Sequence, residues 1–315
     1  MECIGEGIDR LITIDFRARG VIYRLYEAAR KLCNSPLTLT AAQQIADEIS
    51  KGDHIILTTG FILPPNYIPE SDGPSGAVAL ARALKIASKA KPIFITEEKT
   101  KEILLATLNA VDMQNMTILN FPLKLEEAET EAEEILEKYN PSLIVAIEKP
   151  GRNDKGEYHT MKGINISAFH AKIEPLIEKA NRQGILTIGI GDGGNEIGMG
   201  NIKETVEEYV PYAKECQCPC EGGIAAESKV DLLVTASVSN WGAYGIEACI
   251  EAITGKEGIL HSPEIEENML KSLFEAGAVD GASGQKRPLV DGVPHRTHST
   301  IISMLKTLIS AKTGR

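Results

Sequence analysis

The sequence predicts an α/β fold in which a mainly parallel sheet carries helices on both faces. Three observations lead there. Short apolar runs alternate with longer amphipathic stretches along the chain. The short runs are apolar throughout rather than at every second residue, as strands buried on both faces are. Four of them end in polar, Gly- and Pro-rich segments that carry acids.

The elements follow in order. Residues from about Ile8 to Leu32 place Leu11, Ile12, Phe16, Val21, Ile22, Leu25, Tyr26 and Ala29 at helical spacing, with Gly20 a break. Thr40 reads as the cap of a second helix, whose apolar face includes Ile45 and Ile49 and which stops at Gly52. Strands are then expected at residues 54–59, 92–95, 116–119, 141–147, 185–190 and 231–236. Between and after them lie helices over 76–90, through Leu104 and Leu108, over 126–138, one ending at Gly184, and one over 241–253. A last helix covers 299–309. No linker, internal repeat or low-complexity tract divides the 315 residues. The expectation is therefore one Rossmann-like α/β domain over 1–315, with helices of 1–52 packing on a sheet drawn from 53–315.

Composition narrows the function. A net charge of −11 without any basic stripe argues against a nucleic-acid partner. No apolar run reaches the roughly 18 residues of a membrane span. The N-terminus, Met1-Glu2-Cys3-Ile4-Gly5-Glu6, carries acids early and lacks a basic region followed by an apolar one, so a cytoplasmic location is expected. No surplus amphipathic helix marks an oligomer interface, and a homo-oligomer stays an open expectation. Cys3, Cys33 and Cys249 read as small core residues. Cys216, Cys218 and Cys220 form C-x-C-x-C, which lacks the C-x₂-C pairing of structural zinc and reads first as a loop with incidental thiols, with a metal or redox role as the alternative.

In open parallel sheets, ligands bind beyond the carboxyl ends of the strands. The unusual residues fall there. After the first strand come Thr59, Gly60 and then Glu70-Ser-Asp72-Gly-Pro74; after the fourth, Glu148-Lys149-Pro-Gly-Arg152, His159 and Lys162. After the fifth comes Gly189-Ile-Gly-Asp192-Gly193-Gly194-Asn195-Glu196-Ile-Gly-Met-Gly-Asn201, and after the sixth Ser239 and Asn240. Six glycines between 189 and 200 allow close backbone approach to a ligand, and consecutive amides can form an anion-holding nest. The loop fits neither the dinucleotide fingerprint nor a phosphate loop, so no nicotinamide or flavin is expected. Asp192, Asn195 and Glu196 add hard oxygen ligands of the kind magnesium or manganese takes, with Asp72 and Glu70 as further metal candidates. Bland readings stand beside these: Glu70 and Asp72 as helix caps, Glu148 as a strand-end acid paired with Lys149 or Arg152, His159 as a surface histidine. His54, His170 and His261 read as structural, and Trp241 and Tyr244 as pocket or packing residues alike. Asp280, Lys286, Arg287, Asp291 and His295, in a stretch that repeats Val-Asp-Gly, are candidates to close the cleft.

Four motifs together carry a family resemblance: Glu-x-Asp-Gly-Pro at 70–74, Glu-Lys-Pro-Gly-Arg at 148–152, Gly-Asp-Gly-Gly-Asn-Glu-Ile-Gly-Met-Gly-Asn at 191–201 and Val-Ser-Asn-Trp-Gly-Ala-Tyr-Gly at 238–245. From about Thr59 to His295 the chain resembles the D-glutamate cyclase C-terminal domain, in the form of a stand-alone prokaryotic-type member. The resemblance implies closure of D-glutamate to 5-oxo-D-proline with loss of water. Under it, Asp192 and Glu196 hold a divalent metal, Glu148 or His159 removes the ammonium proton, and Lys149, Arg152 or Lys162 holds the α-carboxylate. Thr59, Gly60, Gly193, Gly194, Asn195, Ser239 and Asn240 complete the substrate contacts. The same residues serve a Mg- or Mn-dependent phosphatase acting on a small phosphomonoester, and a non-catalytic binder of an acidic metabolite needs only the nest.

Overall fold

A computed structural model describes residues 1–311. Six strands form its main sheet: β1 (His54–Thr59), β2 (Lys91–Thr96), β3 (Thr117–Asn120), β4 (Leu143–Ile147), β5 (Leu186–Gly191) and β6 (Leu232–Thr235). Every pairing in it is parallel, in the order β3-β2-β1-β4-β5-β6. The apolar runs have their cause here, since Ile55–Leu57 and Leu143–Ile147 are buried on both faces.

Eleven helices surround the sheet among the described residues: α1 (Glu2–Ile12), α2 (Val21–Cys33), α3 (Leu37–Glu48), α4 (Pro74–Ser88), α5 (Glu98–Asn109), α6 (Leu125–Tyr139), α7 (Glu174–Arg182), α8 (Lys203–Tyr209), α9 (Ser239–Thr254), α10 (Pro263–Glu275) and α11 (His295–Ser310). The chain steps outward from β1 to β3, returns past β1 to β4, and continues the other way. Right-handed crossovers then put the helices of the two halves on opposite faces. α4 and α9 pack together, with α1, α3 and α11 outside α9; α6 packs on α7 across the sheet. Between the ends of β1 and β4 the strand order reverses, and that is where such sheets open a crevice.

The stretch 8–32 breaks at Gly20 as expected, into two helices joined by residues 13–20, with Gly20 in the left-handed region (φ 72°). Two other local expectations need correction. Thr40 caps nothing: α3 starts three residues earlier, and Asp9 of α1 accepts from the amides of Leu37 (2.6 Å) and Thr38 (3.2 Å). The cap is supplied from another helix, which local sequence does not reveal. α10 is an added helix, introduced by Pro263 and by the Ser262 hydroxyl, which accepts from the Ile265 amide.

α10 also meets α9 through a buried polar group. His261 Nδ1 lies 2.9 Å from Glu247 Oε2 and its Nε2 3.2 Å from Glu266 Oε2, while the Tyr244 hydroxyl donates to Glu266 at 2.9 Å. Burial opposes a charge on this imidazole, but Glu247 and Glu266 overcome it and hold its pKa at about 9. A histidine raised in the fold stabilises fully below its ordinary pKa, and that contribution is lost as pH rises through the raised value. The thermal midpoint is therefore expected to fall between about pH 6.5 and 9. His261→Asn should lower it at pH 6.5 and flatten the slope; an unchanged slope in a midpoint-versus-pH series would refute the pairing.

Candidate active site

A cavity of about 560 Å³ opens at the carboxyl ends of β1, β4 and β5. Glu70, Glu148, Asp192 and Asp291 line it, together with Arg17, Arg19 and Lys162. Asp72 and Glu196 stand directly behind. One carboxylate oxygen each from Glu148, Asp192 and Glu196 lies within 4.8 Å of the others, and so does a second set from Asp72, Asp192 and Asp291. Asp192 belongs to both groups.

The acids come from four segments of the chain: Glu70 and Asp72, Glu148, Asp192 and Glu196, and Asp291. Asp72 follows β1 and faces the first turn of α9: its Oδ2 accepts from the Ser239 amide (2.8 Å), its Oδ1 from those of Asn240 (3.0 Å) and Gly73 (2.9 Å). The capping reading of Asp72 is thus realised, on a helix distant in sequence. Asn240 does the reciprocal work, its Oδ1 accepting from Gly76 at the start of α4 (2.6 Å). Ser239 donates from its hydroxyl to Glu148 Oε2 at 2.5 Å. Glu148 sits just beyond β4 with φ 44°, a backbone state uncommon for a non-glycine residue and one that clusters at functional sites.

The glycine-rich loop departs most from expectation. Its nest exists, but Glu196 fills it: Oε1 accepts from the amides of Asp192 (2.8 Å) and Gly193 (2.7 Å), and Oε2 from Gly194 (2.7 Å). The amides of Gly193 and Gly194, expected to meet substrate, hold the loop's own carboxylate instead. Gly194 is at φ 110° with Val206 packed where a Cβ would stand. Gly194→Ala is expected to destabilise the protein by about 1–3 kcal/mol through strain at this position, read by denaturant unfolding.

Other expected residues are placed elsewhere. Lys149 is fully buried and points away from the cavity, paired with Glu97 and 3.3 Å from the Gly60 carbonyl. Arg152 pairs with Glu178 at 2.5 Å on the outer surface. His159 faces Cys218 and Cys220, not the acids. The Asn195 amide donates to the His159 carbonyl (2.7 Å) while the residue lines the cavity. The Thr59 hydroxyl is buried without a partner, close behind Gly73. Trp241 and Tyr244 are packing residues, bonded to His298 and Glu266. Of the C-terminal candidates, Asp291 joins the cluster; Asp280 shapes its turn by accepting from Gly292 (2.6 Å) and Ser283; Lys286 and Arg287 are exposed.

Arg17, like Arg19, is a site residue that the sequence pattern did not mark. It lies in the connector before α2, where its Nη1 meets Asp291 at 2.5 Å and its Nη2 meets Asp192 and the Ser237 carbonyl (2.8 Å). Arg19 stands 3.7 Å from Asp192. Burial opposes ionisation of Asp192, but Arg17 and Arg19 overcome it and hold that carboxyl below the usual range. The rest go the other way. Burial, then neighbouring carboxylates, push Glu70, Glu148 and Asp291 well above the ordinary range. Burial and the charge on Asp192 bring Asp72 and Glu196 to about 7. The cluster holds more negative charge than its arginines neutralise, so it retains protons or accepts a cation.

The donor set suits a hard divalent ion, being carboxylate oxygens throughout; beside it Glu70, which lines the same cavity, has its Oε1 buried without a hydrogen bond.

Fold and site together define a doubly wound α/β protein with an acid-walled cavity at its switch point. The family described as D-glutamate cyclase-like, C-terminal, matches residues 8–306, and the chain belongs to that family. It is 28% identical over 339 aligned positions to the human protein "D-glutamate cyclase, mitochondrial", an alignment that takes in 97% of this chain and 52% of the relative. The chain thus spans about half the length of that protein. Among the described residues, no helix is long and apolar enough to cross a membrane.

Proposed function

We propose that the chain is a metal-dependent, lyase-type enzyme that closes D-glutamate to 5-oxo-D-proline and releases water. The observation that carries this reading is the convergence of Glu148, Asp192 and, just behind them, Glu196 at a small-molecule cavity of a D-glutamate cyclase-like chain. Asp192, Glu148 and Glu196, with Asp291 and Asp72 beside them, are the residues that would hold magnesium or manganese. Such an ion supplies Lewis-acid polarisation of a carboxyl oxygen.

The chain's own groups account for binding and proton movement. Arg17, Arg19 and Lys162 offer cations to the two carboxylates of the substrate, at the edge of an otherwise acidic wall. In the reaction a C–N bond forms and a C–O bond breaks; the nitrogen sheds two protons and the departing oxygen gains two. A carboxylate beside the reacting atoms can take a proton at one atom and return it at another. Glu148 lines the cavity and is steered by the Ser239 hydroxyl, which suits it to this role.

The test is direct. Purified protein with manganese or magnesium is incubated with D-glutamate, L-glutamate and a generic phosphomonoester in parallel, and 5-oxo-D-proline is followed by chiral chromatography. Product from D-glutamate alone is expected. Phosphate release without lactam would overturn the reading.

A further inference from the structure

Away from the acid cavity, His159 and three cysteines form a second constellation. His159 Nε2 lies 3.2 Å from Cys218 Sγ and 3.5 Å from Cys220 Sγ. Cys216 Sγ lies 3.4 Å from Cys218 Sγ and 3.3 Å from Cys220 Sγ. All four ligand atoms fall within 4.8 Å of one another. None of the cysteines is in a disulfide. Zinc bonds of about 2.3 Å to sulfur and 2.0–2.1 Å to nitrogen make a tetrahedron with edges of roughly 3.5–3.8 Å. The observed separations are that figure slightly contracted.

Two further observations are independent of those distances. Side-chain amides point at the sulfurs, Asn153 Nδ2 at Cys220 (3.6 Å) and Asn165 Nδ2 at Cys218 (3.8 Å). Such donors around thiolates are what an outer shell provides in metal sites. The second is a need for a staple. Residues 210–231, between α8 and β6, contain no helix or strand, yet Ala213, Ile224, Ala225 and Ala226 of this segment are buried. A loop of that length inside a packed α/β unit calls for its own cross-link.

We propose that Cys216, Cys218, Cys220 and His159 hold one structural zinc ion in a closed Cys₃His site. Three thiols lose their protons to solvent as three sulfur–zinc bonds form; His159 contributes its neutral Nε2, and nothing is oxidised or reduced. Thiolate and imidazole select zinc, whereas the carboxylate cluster selects a harder ion, so the two sites sort metals by chemistry. The ion would tie the 210–231 loop to the strap carrying Thr160, Met161 and Lys162, which line the cavity. His159 also anchors Asn195 of the glycine-rich loop through its carbonyl. The zinc is thereby a brace behind one wall of the cavity.

The test starts from the full chain, produced with zinc in the medium and purified under reducing conditions. Elemental analysis should find one zinc per chain, released stoichiometrically to a chromogenic chelator when a mercurial blocks the thiols. Cobalt exchanged into the site should show intense visible bands of tetrahedral geometry and a thiolate charge-transfer band in the near ultraviolet. Cys218→Ser should lose the zinc, while Asp192→Asn should keep it. If the serine variant fails to fold, the cobalt spectrum of the unaltered chain decides. The proposal is overturned by any of three results: reduced protein that takes up neither zinc nor cobalt; a metal-free protein two hydrogens lighter per disulfide; or zinc retained in Cys218→Ser and lost in Asp192→Asn.

Discussion

Replacing Asp192 by asparagine is expected to reduce the proposed lactam formation by on the order of 10²–10³-fold, the usual cost of removing one dominant electrostatic group from an active site. Asp192 is the one acid shared by both carboxylate groups and the one held ionised by Arg17 and Arg19. The amide preserves shape while removing the charge that the rest of the site is arranged around. Affinity for manganese should fall in parallel, measured by isothermal titration. The fold should survive, because Arg17 retains Asp291 and the Ser237 carbonyl as partners. Wild-type turnover in the variant, with wild-type manganese affinity, would remove Asp192 from the mechanism.

Lys149→Met is expected to cost about 3–5 kcal/mol in denaturant unfolding. Its partner Glu97 is held ionised, below the usual range, against the opposing effect of burial. Glu97 also accepts from the Ala171 amide at 3.0 Å, so it anchors the approach to α7. Removing the lysine leaves that carboxylate buried and uncompensated. The double change Glu97→Gln with Lys149→Met should recover most of the loss, which separates a charge effect from a packing effect. Under the proposed function, KM for D-glutamate should stay within about twofold, since the ammonium does not reach the cavity; a KM effect without loss of stability would reinstate Lys149 as a substrate contact.

The sheet was legible because parallel strands buried on both faces leave a continuous apolar run, and such runs mark 54–59 and 143–147 plainly. The site's position followed from the same logic, since acids and glycines gather where those runs end. The roles of individual residues were less accessible. Glu148 and Lys149 are neighbours in sequence, yet the chain turns just beyond β4, with Glu148 at φ 44°, and only one of the two side chains reaches the cavity. Glu196 reads identically whether its carboxylate turns outward to an ion or back onto its own loop. Arg17 hides in a stretch whose apolar spacing continues the helix pattern on both sides. His159 finds its partners in a segment between α8 and β6, and C-x-C-x-C alone gives no hint of a fourth ligand so distant.

The carboxylate of Glu196, seated in the amides of its own loop, has a thermodynamic consequence. A nest awaiting a ligand must be ordered when the ligand arrives, and the entropy of that ordering weakens binding. Here the loop carries its anion with it, so Asp192 is already fixed before any ligand enters. Ligand binding should leave the amide exchange rates of Asp192, Gly193 and Gly194 nearly unchanged, because their protection is set by folding rather than by occupancy. The recognition loop behaves as part of the frame.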